Sequence, residues 1–337
     1  MERRYSRQIL FPQIGAEGQK RLSSSAVIII GAGALGTVTA NNLARAGIGR
    51  IKIIDRDLVE LDNLQRQILY DESDVKQRLP KAIAAVERLK KINSSIRLES
   101  EVCDVTARNI ERLIDGFNLV LDALDNLETR FLVNDACIKK GIPWIYAAVL
   151  GSFGMTMNII PGKTACLRCL IEETPLPGTM PTCDTVGVVN TVPNIIASLQ
   201  STEAIKILIG SPEVSQAFTY VDAWNQSFKQ IDLKHRTDCI TCAGKDFRYL
   251  KGEKSSISMT LCGRNAVQIS PPTEGEISLT QLKQTLEPLG QVFYNGYLLS
   301  FKVDNYELVV FPTGRVIVKG TIDESTARSL YAKYIGL

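Results

Sequence analysis

Several features that mark particular classes of protein are scarce or missing in this sequence. The single histidine, His235, rules out any catalytic or metal site built from two or more histidines. Basic and acidic side chains nearly balance, 39 against 36, so the formal net charge of +3 gives no general attraction for nucleic acid. No apolar run approaches the roughly 18 residues that a membrane-spanning helix needs. We therefore expect neither nucleic acid nor a membrane as a partner.

The N-terminal residues MERRYSRQ are charged and lack the apolar segment of a secretion signal, which indicates a cytoplasmic protein. The composition, 45% hydrophobic and 22% charged, is that of a soluble globular protein, and 337 residues allow one large core or two domains. In a reducing compartment, the eight cysteines are better explained by metal binding and chemistry than by disulfides.

Four of the cysteines form two Cys-x-x-Cys pairs, Cys166 with Cys169 and Cys239 with Cys242. Two thiols at this spacing can reach one tetrahedral ion, and two pairs supply the four sulfurs of a structural zinc site. The alternative is two redox pairs or four unrelated buried thiols, but neither pair opens a helix in a thioredoxin-like βαβ unit. Four thiols leave His235 no ligand position. Three further cysteines are expected to be small buried apolar residues: Cys103, Cys137 and Cys262.

Strand and helix patterns alternate through the first half of the chain. Residues Ala26 to Gly36, AVIIIGAGALG, predict a buried strand, a glycine turn and the start of a helix, and Ile51 to Asp55 predict the next strand. Such a βαβ unit favours a parallel sheet. From Gly154 onward a period of two predicts added antiparallel strands. Further predicted elements are helices at 81–93, 129–140 and 192–209 and strands at 96–102, 118–122 and 144–149.

These patterns predict an α/β fold: a Rossmann-like, doubly wound, largely parallel sheet extended by antiparallel strands, with a small C-terminal α+β domain. The predicted boundaries are 1–245 for the large domain, 246–256 for a charged linker and 257–337 for the small domain, in which we expect helices at 279–289 and 324–334. The proline-rich segment 172–193 suits neither helix nor strand, and we expect a long exposed loop there.

The glycines of GAGALG are Gly31, Gly33 and Gly36. Their spacing, directly after a strand and at the start of a helix, lets backbone amides approach a phosphate. Asp55 follows at about the distance where a carboxylate binds a ribose hydroxyl. A nucleotide site is the favoured interpretation, and a glycine turn needed only for tight packing is the alternative.

Charged and amide side chains follow Asp55. Cations that converge on a nucleotide pocket suit a triphosphate, because phosphoryl-transfer enzymes act mainly by positioning and by neutralising charge. For Arg66 and Lys81 the alternative is a solvated helix face. The residues concerned are Asp57, Asn63, Arg66, Gln67 and Lys81.

The segment LDALDN places Asp122 and Asp125 at the carboxyl end of a predicted strand, where ligands bind in open α/β sheets. An acid there could hold Mg²⁺ while the ion keeps its waters and substrate phosphates. Alternatively, Asp125 could cap the helix that carries Arg130.

Eight motifs occur together in one order: RRYSRQ, GAGALG, IIDRD, DNLQRQ, LPKA, LDNLETR, CLRC and CITC. In this order and spacing, the chain from about Glu2 to Gly244 resembles the ThiF/MoeB/HesA family, which is similar to the adenylation domain of ubiquitin-activating enzymes. ThiF-type members are slightly favoured over MoeB-type members, because the tail after CITC resembles longer ThiF-type proteins.

The resemblance implies an ATP site, a magnesium ion on Asp125, and zinc on the four paired cysteines. It also implies that Arg7 reaches the γ-phosphate of the neighbouring subunit, so that a homodimer is the active form. The residues that it assigns to the nucleotide are Gly31, Gly33, Gly36, Asp55, Asp57, Asn63, Arg66, Gln67, Lys81, Asp125 and Asn126.

The implied reaction is adenylation of a small β-grasp sulfur-carrier protein, ThiS-like or MoaD-like, that ends in Gly-Gly. The carrier's terminal carboxylate attacks the α-phosphate of ATP, pyrophosphate leaves, and an acyl-adenylate remains for sulfur transfer in thiamin or molybdopterin synthesis. No base is needed, since the carboxylate is already ionised at about pH 7. Arg7, Arg66, Lys81 and Mg²⁺ offset the repulsion between the two anions.

Cys183, in the proline-rich loop, is either a covalent attachment point for the carrier, as in ThiF-like members, or a loop thiol without a role. The identity of a sulfur donor protein stays open. Two other functional classes also stay open: an NAD-dependent Rossmann oxidoreductase, and a non-catalytic scaffold that binds a carrier without activating it. An oxidoreductase needs a positioned proton donor, but the single histidine lies beside the second cysteine pair. A scaffold without catalysis would have no reason to keep the whole set of charged residues: Arg7, Asp55, Arg66, Lys81 and Asp125.

Overall fold

The computed structural model describes residues 3–172, 183–252, 258–261, 265–270 and 277–335. The chain divides into two compact units, Met1–Lys254 and Ser255–Leu337. Among the described residues, no helix is both long enough and apolar enough to cross a membrane.

A mixed sheet forms the centre of the first unit, and eight of its strands lie in the described residues, in the order β3-β2-β1-β4-β5-β6-β7-β8. The pairs from β3 to β5 are parallel, and those from β5 to β8 are antiparallel. The predicted α/β fold class is thus confirmed. The strands are β1 Ala26–Ile30, β2 Arg50–Ile54, β3 Arg97–Glu101, β4 Leu119–Asp122, β5 Trp144–Leu150, β6 Phe153–Ile159, β7 Ala217–Asp222 and β8 Ser227–Asp232.

Helices cover both faces of this sheet. Val27 and Ile29 of β1 belong to one apolar core, and Ile28 and Ile30 belong to another, which explains why β1 is an unbroken apolar run. Two short 3₁₀ helices lie at Arg3–Tyr5 and Leu61–Asn63. The α-helices are α1 Ser6–Ile9, α2 Gly15–Ser24, α3 Ala34–Ala46, α4 Glu72–Lys76, α5 Lys81–Ile92, α6 Ile110–Leu113, α7 Leu127–Lys140, α8 Leu167–Leu170, α9 Cys183–Val186 and α10 Thr191–Ile209.

The residues that follow the second cysteine pair pack onto α7. The ring of Tyr249 stacks on Phe131 with 5.0 Å between centroids, and the Tyr249 N–H donates to Asp135 Oδ2 at 3.0 Å. The first part of the segment predicted as a linker, 246–256, is therefore attached to the first unit.

The second unit contains an antiparallel sheet whose described strands follow the order β11-β12-β13-β14-β10-β9. Phe301 and Leu308 lie in its apolar core, and so does Tyr331 of α12. Helix α11 ends at Leu286, three residues before the predicted 289, whereas α12 has the predicted bounds. The elements are β9 Ser258–Leu261, β10 Ala266–Ile269, α11 Leu279–Leu286, β11 Gln291–Tyr294, β12 Leu299–Val303, β13 Tyr306–Val310, β14 Val316–Lys319 and α12 Glu324–Tyr334.

Candidate functional site

The carboxyl ends of the parallel strands bring the candidate nucleotide-binding residues to one edge of the sheet. Gly31 follows β1, Asp55 follows β2, and Asp125 comes shortly after β4. In an open α/β sheet this is the edge where ligands bind.

The space around the three glycines of the turn after β1 differs from one glycine to the next. A Cβ on Gly31, whose φ is +100°, would lie 2.4 Å from the Ala123 carbonyl oxygen, and a Cβ on Gly36 would lie 2.1 Å from the Gly31 oxygen. A Cβ on Gly33 would meet only Gln67 Nε2, at 4.0 Å. Tight packing thus explains Gly31 and Gly36, while open space in front of Gly33 is what close approach of a ligand requires.

Asp55 connects the ends of β1 and β2. Its Oδ2 accepts the Ala32 N–H and its Oδ1 accepts the Asp57 N–H, each at 2.7 Å. Burial raises the pKa of this carboxyl, and the positive charge of Lys81 opposes the rise. The side chain therefore holds the glycine turn in place from the end of β2.

Lys81 is the first residue of α5, and only 4% of it is exposed. Its Nζ lies 3.3 Å from Asp57 Oδ2, and its backbone N–H donates to the Asp57 carbonyl at 2.9 Å. The alternative of a solvated helix face is therefore wrong for Lys81. Arg66 is only partly buried and donates from Nη1 to the Asp62 carbonyl at 2.8 Å, so the structure leaves its alternative open.

Two buried amides lie in the segment between Asp55 and Lys81. The Asn63 Oδ1 accepts the Glu60 N–H at 3.2 Å and closes a capping box at the 3₁₀ helix. Gln67 is 4% exposed, and its Oε1 is buried with no hydrogen-bond partner in the described structure. A buried polar atom without a partner is costly. Because Oε1 only accepts hydrogen bonds, a ligand could satisfy it only with a donor such as a hydroxyl group, whereas the Nε2 of Gln67 lies 4.0 Å from the position of a Cβ on Gly33 and could donate to a phosphate.

A feature that sequence patterns did not indicate is an ion pair beside this segment. Arg56 Nη1 lies 2.8 Å from Asp104 Oδ1, and Arg56 Nε lies 3.8 Å from Asp57 Oδ1. The IIDRD motif contains Arg56, but its partner Asp104 comes from the segment after β3 and could not be read from spacing.

The two acids after β4 have different environments. Asp122 is fully buried and accepts from Arg130 Nε at 2.9 Å, so it forms a structural ion pair. Asp125 is exposed, and among the described residues its carboxylate accepts one long hydrogen bond, from Asn126 Nδ2 at 3.4 Å. The suggestion that Asp125 caps α7 is wrong, because Asn126 Oδ1 accepts the Thr129 N–H at 2.9 Å. An accessible carboxylate at this edge fits a magnesium ion.

Arg7 lies far from the nucleotide-binding residues of its own chain. The neighbouring Gln8 donates from Nε2 to the Ala46 carbonyl at 2.9 Å, and Ala46 is the last residue of α3. The glycine turn is at the first residue of α3, and 13 residues of helix span about 20 Å. Arg7 is exposed at that distant end.

The four paired cysteines come together as a compact cluster. The Sγ atoms lie 3.9 Å apart in Cys166 and Cys169, 3.7 Å in Cys166 and Cys239, and 3.5 Å in Cys169 and Cys242. Sulfurs bound tetrahedrally to one zinc ion at about 2.3 Å lie about 3.8 Å from each other. The donor set and the spacing therefore fit a closed zinc site, and the exposed His235 is not among its possible ligands.

Helix α7 supports both cysteine pairs. Asn134 Oδ1 accepts the Leu167 N–H at 3.0 Å, and Leu167 lies inside the first pair. Thr241, inside the second pair, donates from Oγ1 to Asp135 Oδ1 at 3.4 Å. Such contacts around metal ligands fix the orientation of the thiols.

The other cysteines divide into buried residues and residues that the structure does not describe. Cys137 is buried and Cys103 is half-buried, and burial raises the pKa of the Cys103 thiol to about 12. Cys262 lies outside the described residues. Cys183 begins α9, but its side chain also lies outside them. After α9, the Val189 N–H donates to the Gly151 carbonyl at 2.9 Å, which anchors this segment beyond the carboxyl end of β5.

Comparison with known proteins agrees with this arrangement. The ThiF family model matches residues 5–241. The sulfur carrier protein ThiS adenylyltransferase of Bacillus subtilis is 45% identical, with 100% of both chains covered. The sulfur carrier protein adenylyltransferase of Thermus thermophilus is 37% identical over 71% of this chain and 90% of its own. The fold is similar to the crystal structure of E. coli MccB with ATP, with a TM-score of 0.64, 23% identity, and coverage of 72% of this chain and 75% of that one. The chain belongs to the ThiF family.

Proposed function

We propose that this protein is an ATP-dependent adenylyltransferase that activates the C-terminal Gly-Gly carboxylate of a small β-grasp sulfur-carrier protein. The observation that carries the proposal is the meeting of an open backbone at Gly33, a buried cation at Lys81 and an accessible acid at Asp125 along one edge of the sheet. Relatives in the family are named as adenylyltransferases of sulfur carriers.

In this proposal the glycine turn faces the phosphates of ATP and Asp55 faces the ribose. Asn63, Arg66, Gln67 and Lys81 surround the triphosphate, with Asp57 holding Lys81 in position. Asp125, next to Asn126, would hold Mg²⁺, which neutralises phosphate charge when bound.

The chemistry needs positioning and charge balance more than a base. The carrier's carboxylate attacks the α-phosphorus, a new bond forms between its oxygen and phosphorus, and the bond to pyrophosphate breaks. Two anions must approach each other, so fixed cations in a partly dry site contribute most. Lys81 is suited to this task, because its burial strengthens the interaction of its charge with phosphate.

We infer a homodimer from the position of Arg7. The residue next to Arg7, Gln8, contacts the end of α3, about 20 Å from the glycine turn of its own chain, so this exposed arginine is placed to serve the site of a second copy rather than its own. The proposed domains are 1–245 for adenylation and metal binding, 246–256 as a connecting segment whose first residues pack on the first unit, and 257–337 as a small domain.

The cysteine cluster in this proposal binds a structural Zn²⁺ through Cys166, Cys169, Cys239 and Cys242.

Among carriers we favour a ThiS-like protein in thiamin synthesis over a MoaD-like one, since a relative that matches the whole chain is named for ThiS. We place the protein in the cytoplasm, where a sulfur donor protein would act on the acyl-adenylate.

ATP–pyrophosphate exchange with purified candidate carriers tests the function. Exchange should require a carrier that ends in Gly-Gly, and it should be lost in Lys81→Ala and Asp125→Ala. A carrier that lacks the last glycine is the matched control. Oxidation of NADH would favour an oxidoreductase, and carrier binding without exchange would favour a scaffold.

Cys183 is proposed as a covalent attachment point for the carrier after adenylation. Its helix directly precedes the segment that is anchored beyond β5, at the same edge as the nucleotide-binding residues. Cys183→Ser should keep exchange and lose sulfur transfer. Normal sulfur transfer in this variant would exclude the covalent role.

A further inference from the structure

Tyr70 is a buried residue beside the candidate nucleotide site, and the proposed reaction does not use it. It is 7% exposed, and its hydroxyl lies 2.7 Å from the Ala32 carbonyl oxygen and 3.1 Å from the Lys81 carbonyl oxygen. Ala32 belongs to the glycine turn, and Lys81 begins α5. One phenolic group thus connects the two segments that carry Gly33 and the Lys81 cation.

The shorter of these contacts determines how the peptide between Ala32 and Gly33 is oriented. In a trans peptide, the C=O of one residue and the N–H of the next point in opposite directions. Described peptide bonds of the chain are all trans. Because the Ala32 C=O points to Tyr70, the Gly33 N–H points away from it. At the Gly33 φ of −81° the N–H and the position of a Cβ lie on the same side of the backbone, and this Cβ would find open space.

Ala32 is held on both sides. Its N–H donates to Asp55 Oδ2 at 2.7 Å, and its C=O accepts from Tyr70. Without the hydroxyl, the buried carbonyl would lose a partner, and the peptide could rotate to find another. A rotated peptide would present a carbonyl oxygen to the phosphates instead of an N–H.

We propose that Tyr70 is a positioning residue for phosphate binding: its hydroxyl orients the Ala32–Gly33 peptide so that the Gly33 N–H donates to a phosphate of the nucleotide. This inference rests on the proposed function, because it assumes that a nucleotide binds at the glycine turn. A tyrosine suits the position because it remains a donor at neutral pH. Burial, together with the nearby Asp55, Asp74 and Asp57, holds the pKa of Tyr70 well above its usual value.

The test is isothermal titration of the full chain with MgATP and with adenosine, in wild type and Tyr70→Phe. Tyr70→Phe should raise the dissociation constant of MgATP about tenfold, the effect of one lost hydrogen bond to a charged group. Adenosine has no phosphate, so its affinity should change by less than about twofold. An intermediate loss with AMP would support the same conclusion.

Tyr331→Phe is the matched control. Tyr331 is also buried and donates its hydroxyl to a backbone carbonyl, that of Gly314 at 3.1 Å, in the second unit. This variant loses a comparable bond, yet its affinities for MgATP and adenosine should equal those of wild type. Thermal unfolding of each variant separates loss of fold from loss of binding.

Three outcomes would overturn the inference. Equal MgATP affinity in wild type and Tyr70→Phe removes it, and so does an equal loss for MgATP and adenosine, which indicates a structural role. If Tyr70→Phe does not fold, a crystal structure of the wild type with an ATP analogue is the test. A Gly33 nitrogen farther than about 3.2 Å from every phosphate oxygen would then overturn the inference. Absence of MgATP binding in wild type would instead contradict the proposed function itself.

Discussion

Arg130 and Asp122 form a buried ion pair below the acidic turn, with 2.9 Å between Nε and Oδ2. The Nη2 of Arg130 also donates to the carbonyl of Leu124 and, at 2.8 Å, to that of Ala147. One side chain therefore holds the turn that precedes Asp125 against the neighbouring strand β5.

Removal of the arginine should leave Asp122 as an uncompensated buried charge. Arg130→Met is expected to lower the free energy of unfolding by about 3–5 kcal/mol. Urea unfolding followed by circular dichroism measures the change. Lys139→Met, on the exposed side of the same helix, is the control and should lower it by less than about 1 kcal/mol. Equal effects in both variants would contradict a role for the buried pair.

Alanine substitutions at two glycines of the same turn should cause different defects, one in stability and the other in MgATP binding. Gly36→Ala places a Cβ 2.1 Å from the Gly31 carbonyl oxygen, so the backbone must move and stability should fall by at least about 2 kcal/mol. Gly33→Ala meets nothing closer than 4.0 Å and has a φ of −81°, so the protein should fold normally. Its methyl group should instead obstruct MgATP.

Thermal stability and MgATP affinity are measured on both variants. Thermal unfolding should separate Gly36→Ala from wild type, and titration with MgATP should separate Gly33→Ala, with an affinity about tenfold or more below wild type. A Gly33→Ala protein that binds MgATP normally would mean that the nucleotide does not approach this turn.

The homodimer proposal predicts complementation between two inactive variants. Arg7→Ala keeps its own pocket, and Lys81→Ala keeps the arginine that it lends to its partner. Random mixing makes half of the dimers mixed, each with one complete site of two, so exchange should recover to about a quarter of wild type. If mixing after subunit exchange restores nothing, Arg7 does not act on a second copy.

Loss of the metal should destabilise the first unit. Cys169→Ser is expected to lower zinc content well below the one ion per chain that the proposal expects for wild type and to reduce the melting temperature, because binding energy at such a site contributes to folding. Cys103→Ser, outside the cluster, should keep the ion. Elemental analysis and thermal unfolding with and without a chelator provide the measurements. A metal-free wild type with unchanged melting would contradict the structural role.

Strong local signals explain why most of the fold could be predicted. Strand β1 is apolar throughout because both its faces are covered, and α12 has a clear capping residue in Asp323, whose Oδ2 accepts the Thr326 N–H at 2.8 Å. The cysteine cluster was predictable as well, since identical pairs at a fixed spacing have few other uses.

What could not be predicted depends on contacts between distant segments. Spacing alone does not show that Gly31 and Gly36 are confined by packing while Gly33 is open. Asp125 and Asn126 stand side by side in the sequence and are both of a residue type that often caps helices, and only the structure shows that Asn126 caps α7. Tyr70 lies in an irregular segment without periodicity, so no pattern distinguished it from an ordinary core aromatic.

Helix α7 contacts both cysteine pairs through Asn134 and Asp135 and begins two residues after Asp125. About 12 Å of helix separate Leu127, next to the acidic turn, from Asp135, so this turn and the supports of the cysteine pairs lie on one hydrogen-bonded element. Protein prepared from zinc-poor cultures should therefore bind ATP less uniformly than zinc-replete protein, although none of the four clustered thiols belongs to the candidate nucleotide site. Trace-metal supply during expression thus becomes a variable that kinetic work on this enzyme has to control.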